Sequence, residues 1–180
     1  MGSEKDPVRQ GGLDGLCGLY AVINACNNLN INIGHAGRVK LFELGICYLD
    51  EKNVLKNTLV SGMGITHVKG FVRVFKNYLA EEYGVNLISK TVTADAGNIN
   101  GLWTRLSKFM EDHDDVAVLG LTGMHDHWTC VVNISDATLQ LCDSDGLRRI
   151  NKSYCTCGNL YGELKHILDA NEVLALWVEQ

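Results

Sequence analysis

The stretch LDGLCGLYAVINAC, residues 13–26, decides how the rest of the chain is read. Its Asp-Gly turn pair runs directly into an apolar pattern of helical period, with Leu16, Leu19, Tyr20, Ile23 and Cys26 close to one face. The pattern predicts a helix over about 15–29 with Cys17 in its first turn. Unpaired backbone N–H groups and the positive end of the helix dipole both stabilise a thiolate there. A cysteine so placed is a candidate nucleophile. It is equally a small buried hydrophobe at a helix start, so its role turns on what lies downstream.

Composition sets the frame. The chain of 180 residues suits one domain with its own core, residues 1–12 forming an extended lead-in. An apolar fraction of 46% and a charged fraction of 21% are ordinary for a soluble globular protein. A net charge of −5 and the lack of a dense Lys/Arg run, Arg148-Arg149 being the one adjacent basic pair, argue against nucleic acid as a partner. Seven cysteines cannot all pair internally, and no signal-peptide pattern opens the chain. Free thiols in a cytoplasmic setting are expected, with no membrane span.

The order of elements predicts an α+β fold. After the first helix come a second at about 38–52, a loop over 53–65 and a third helix N-capped by Thr66. Gly84 stands where a C′ glycine stops a helix. A short strand at 85–89 and an amphipathic helix at 99–112 follow. From residue 115 the signals turn to β: strands at 116–121, 128–134, 138–142 and near 147–151. A short helix around 159–169 and a last strand at 172–178 complete the set. Helices first and an antiparallel sheet afterward is α+β segregation rather than alternating βαβ units.

Two features of the β half bear on Cys17. His127 opens the strand that begins with Trp128, rigidly mounted yet open at the strand's end, as a general base must be. Asp143 follows the next strand. A hairpin turning at 135–137 brings the two together, so that the carboxylate orients one imidazole nitrogen and leaves the other for a thiol. Taken singly, such a histidine is an ordinary loop residue and such an aspartate a turn former. Strand alternation from Leu139 puts Asp143 on the face of Leu139 and Leu141, whereas Asp145 belongs to an Asp-Gly turn and serves its backbone.

Leu16-Cys17-Gly18 at a helix start, His127-Trp128 on a strand and Asp143 after the next strand resemble the papain-like cysteine peptidases. The nearest versions are the bacteriocin-processing (C39-like) peptidases and the Josephin deubiquitinases. Asp14-Gly15-Leu16-Cys17 also resembles the Asp-Gly-x-Cys of ovarian-tumour deubiquitinases, with Tyr20 one place late. The resemblance covers the start of the chain and residues 116–146. It implies a papain-like fold, a nucleophile helix packed on a C-terminal antiparallel sheet, and a triad of Cys17, His127 and Asp143. A glutamine a few residues before the cysteine lines the oxyanion hole in these families. Gln10 is the counterpart, seven positions ahead where five or six are usual, with Gly11-Gly12 to absorb the difference. Asp14 and Asn24 are alternative polar groups near the thiol.

The implied activity is hydrolysis of an amide bond of a protein or peptide through an acyl-enzyme. The bond is a peptide bond or an isopeptide to ubiquitin or a ubiquitin-like modifier. A protein glutamine deamidase and an inactive papain-like binding domain are the alternatives. No cofactor or metal is expected. His125, His127, Cys130, Cys142, Cys155 and Cys157 lack the paired Cys-x₂₋₄-Cys spacing of zinc sites.

Overall fold

The computed structural model describes residues 5–93, 98–111, 115–157 and 166–179. Four helices lead: α1 (Cys17–Asn28), α2 (Gly34–Glu51), α3 (Leu55–Ser61) and α4 (Ile65–Tyr83). Strand β1 (Asn86–Thr91) and helix α5 (Ile99–Phe109) precede β2 (Val116–Gly123), β3 (His127–Ile134), β4 (Thr138–Cys142), β5 (Arg149–Asn151), β6 (Cys155–Thr156) and β7 (His166–Glu179). The strands form one sheet in the order β1-β7-β2-β3-β4-β5, every pair antiparallel, with β6 added parallel to β7. This is the α+β arrangement expected: helices first, then an antiparallel sheet.

Helix α1 is the centre of the molecule. Ten of its twelve residues are buried, Leu19, Val22, Ile23, Ala25 and Cys26 among them. The one-faced amphipathic helix expected from its period is in fact enclosed on nearly all sides, as a helix apolar all round must be. It lies on β2 and β3 and is covered by α2 and α4. Close approach is bought by glycine at Gly45, where a Cβ would stand 2.3 Å from a Leu19 methyl. The opposite face of the sheet is covered as well. There Leu102, Trp103 and Leu106 of α5 pack with Leu119, Val131, Leu139 and Leu141. The aromatic stripe of the sequence divides accordingly, with Phe71 and Phe75 in the α1 core and Trp103 under α5.

Several expected boundaries move. The loop expected over 53–65 contains α3, whose seven residues are too few to show a period; Thr58 is its one fully buried side chain. Helix α4 starts at Ile65 with Gly64 as N-cap, so Thr66 is not the cap. Gly84 does close that helix, left-handed at φ +67°. Helix α2 begins four residues before expectation, at Gly34. The short helix expected at 159–169 falls partly outside the described residues, and its end, from His166, is strand. Between the pairs Leu119↔Val173 and Leu121↔Leu168, β2 advances two residues and β7 five. That bulge breaks the alternation of β7, which is why one long strand reads as two elements.

Candidate active site

Cys17 is the first residue of α1, following a loop that Asp14 shapes by accepting the Leu16 N–H on Oδ1 at 3.1 Å. Its thiol is largely buried, 8% of the residue remaining exposed. The first N–H groups of the helix have no carbonyl ahead of them and are available at this end. The loop joining α3 to α4 is tied to the same end. Gly15 donates its N–H to Leu59 O at 2.9 Å, and a Cβ on Gly15 would stand 2.6 Å from Thr58 O and 2.7 Å from Gly62 N.

The sheet supplies the other wall. The β3–β4 ladder pairs Cys130 with Cys142 and Val131 with Leu141. Continuing that register past the ladder sets Asp143 opposite Thr129, diagonal to His127, whose Nε2 meets Asp143 Oδ1 at 2.8 Å. The other imidazole nitrogen is left free of Asp143, in the cleft that Cys17 also lines. Burial disfavours the imidazolium. The hydrogen bond to Asp143, the nearby Cys17 sulfur and the negative charge of both groups outweigh it and lift the His127 pKa to about 10. Asp143 is itself only 2% exposed. Burial alone would raise its carboxyl. The hydrogen bond and charge of His127, with the Leu147 N–H, hold it below the usual carboxylate value.

Gln10, Asp14, Gly15, Cys17, residues 61–64, Asp126, His127 and Trp128 line one cavity of about 430 Å³. Gln10 therefore stands in the same cleft as Cys17. Its Nε2 donates to Asp14 O, its Oε1 accepts from Ser144 Oγ at 3.4 Å, and its N–H donates to Ser144 O at 3.2 Å. Gly12 and Leu13 form a turn between Gln10 and Cys17 that leaves Leu13 fully exposed. Asn24 is not near the thiol: it is buried two turns along α1 and holds the Val8 backbone through Oδ1 at 2.7 Å and Nδ2 at 3.2 Å.

His125 stands apart from Asp143 and stacks on His166, ring centroids 5.4 Å apart. Asp145 is exposed, and the turn N–H groups of Asp145 and Leu147 go instead to Asp143 Oδ2, at 2.9 and 3.0 Å. The backbone duty expected of Asp145 thus falls on Asp143. Sequence reasoning also missed Trp128, whose Nε1–H donates to Met63 O at 2.8 Å and secures the 61–64 wall. An indole immediately after the histidine, opposite a Gly-Met-Gly loop, is the signal that was available. Among the described residues no cluster of three or more His, Cys, Asp or Glu is arranged to hold a metal.

A cysteine-headed helix enclosed against an antiparallel sheet that carries a histidine and an aspartate to its N-terminus has the papain-like fold. Among solved structures, the chain is similar to the peptidase domain of Streptococcus ComA, a bifunctional ABC transporter involved in a quorum-sensing pathway. The match has a TM-score of 0.51 over 96% of each chain, at 13% identity. No family model and no curated protein matches the sequence. Among the described residues no helix is long and apolar enough to cross a membrane.

Proposed function

We propose that this chain is a papain-like cysteine peptidase that hydrolyses an amide bond of a protein or peptide. The observation that carries the reading is His127, hydrogen-bonded to Asp143, lining one cleft with Cys17 at the N-terminus of α1. In this reaction the proton of Cys17 already resides on the His127 nitrogen that Asp143 leaves free, and the sulfur attacks the carbonyl carbon. The oxyanion that forms is stabilised by the Cys17 N–H and by Gln10 Nε2, which has a second hydrogen beyond the one given to Asp14. His127 then donates its proton to the leaving amine. Water, deprotonated by the same imidazole, releases the acyl group from sulfur and restores the thiolate. Asp143 holds the ring in one orientation throughout.

The test is intact-mass analysis after exposure to peptide electrophiles and, separately, to a ubiquitin-derived electrophile. One adduct is expected on the wild type and none on Cys17→Ala. Equal modification of both proteins sinks the assignment. A preference for the ubiquitin-derived probe assigns the bond as an isopeptide.

A further inference from the structure

On the helical side of the molecule a second cavity, of about 610 Å³, is lined by Tyr48, Lys52, Val54, Thr66, His67, Lys69, Gly70 and Arg73. Three of these carry fixed positive charge in a chain whose net charge is −5. Among the described residues none of Lys52, Lys69 and Arg73 is in an ion pair. Asp50 and Glu51 precede Lys52 on α2, yet neither lines the cavity. The floor is built rather than incidental. A Cβ on Gly70 would stand 2.2 Å from the Tyr48 hydroxyl, so glycine there lets the phenol lie against α4, edge-on to Phe71 and near His67. His67 Nδ1 is buried and has no hydrogen-bond partner among the described residues. Lys52, Lys69 and Arg73 are all exposed and face no carboxylate partner among the described residues, so their charge is open to an anionic ligand.

We infer that this groove is an exosite for acidic side chains of a polypeptide substrate. The inference rests on the proposed peptidase function for its choice of ligand. The groove adjoins the cleft through α3 and the start of α4: Val54 and Thr66 line the groove, whereas Ser61 and Gly64 line the cleft. Helix α3 has seven residues and spans about 10 Å at 1.5 Å per residue. An extended chain covers that distance in about three to four residues. A polypeptide lying across Cys17 thus delivers an Asp or Glu some three to six residues from the scissile bond into the groove, with Lys52, Lys69 and Arg73 around it. Carboxylates suit flexible ammonium groups and one guanidinium, and the same charges steer the acidic segment toward the cleft. Nucleic acid fits less well, because Tyr48 is only 7% exposed and offers no open ring for base stacking.

The test is fluorescence anisotropy of the full chain carrying Cys17→Ala, with a labelled oligoglutamate peptide at low salt. Saturable binding is expected, weakened about tenfold or more in Lys69→Glu/Arg73→Glu and retained in the distant reversal Arg148→Glu/Arg149→Glu. Lys52→Glu, measured alone, is expected to weaken binding as well, and melting curves confirm that each variant is folded. No binding, or binding that Lys69→Glu/Arg73→Glu leaves unchanged, overturns the exosite. So does a stronger preference for a single-stranded oligonucleotide or for inorganic phosphate as competitor. Because the readout is binding by a protein without the thiol, it stands or falls separately from the electrophile test of Cys17.

Discussion

The two oxygens of Asp143 face different partners: Oδ1 meets His127 Nε2 at 2.8 Å, while Oδ2 accepts the N–H groups of Asp145 and Leu147. Asp143→Ala is therefore expected to cut the rate by ~10²–10⁴ as an orienting residue, and to cost about 1–3 kcal/mol through orphaned turn N–H groups. Asp145→Ala should change stability by less than about 0.5 kcal/mol, its side chain being exposed. Rates and melting curves of the two variants decide between them. A normal rate for Asp143→Ala would remove it from the proposed triad. His127→Ala should abolish reaction of Cys17 with a peptide electrophile, and His125→Ala should leave it intact, since His125 stacks on His166 instead. With limiting iodoacetamide near pH 6, Cys17 should be labelled first. Burial pushes the Cys26 and Cys155 thiols up to about 12 and Cys130 well up too, so exposed Cys47 is the competitor to watch in the peptide map. Leading label on Cys47 would count against activation. That His127 and Asp143 reach the same hairpin end was legible from the turn between their strands; their register was not, since Ile134 pairs with Leu139 and a bulge between Val131 and Asn133 shifts the ladder by one residue, bringing both side chains to one face. The division of labour between Asp143 and Asp145 was not, because it depends on where each carboxylate oxygen points.

The wall opposite the sheet is made by α3 and the loop after it, the element the sequence concealed. A two-turn helix has too few apolar positions to declare a period, and its fit is evident only from what it touches. Gly15 meets Thr58 and Gly62 at distances that exclude a side chain, and Trp128 reaches across to Met63 O. Gly15→Ala should cost about 1–3 kcal/mol by overpacking, read as a lowered melting temperature. Trp128→Phe keeps most of the ring volume and removes the hydrogen bond, at a cost of about 1 kcal/mol. If the 61–64 loop is a working wall of the cleft, that variant also reacts more slowly with peptide electrophiles than with iodoacetamide, which needs no wall. Equal slowing with both reagents would assign the indole to packing alone. The long strand β7 was misread for a different reason: its bulge around residues 169–172 interrupts the alternation on which a strand is recognised.

The elements that meet at the cleft come from both ends of the chain. Helix α1 lies between the sheet and two later helices, the lead-in runs along α1 through Val8 and Asn24, and Gln10 then joins the turn after β4. Helix-then-sheet order was legible from the change of period. The strand order, the cover of α5 on the far face and the gathering of Lys52, Lys69 and Arg73 were not, since each depends on which distant segments pack together. The His127–Asp143 pair, at one end of the β3–β4 hairpin, gives stability a pH dependence with a definite sign. His127 keeps its proton up to about pH 10 in the native state, against about 6.5 for the ordinary imidazole. The native state therefore binds that proton more tightly than the unfolded chain does. The resulting stabilisation is present in full below about pH 6.5 and is lost as pH rises toward 10. On the acid side, the lowered Asp143 carboxyl contributes above its ordinary value of 3.8, and that contribution is lost as pH falls through its native value. Melting temperatures of wild type and His127→Gln should thus differ most between about pH 5 and 6.5 and converge on going to pH 10. Parallel curves across that window would mean that the imidazole is not held as an imidazolium beside Asp143.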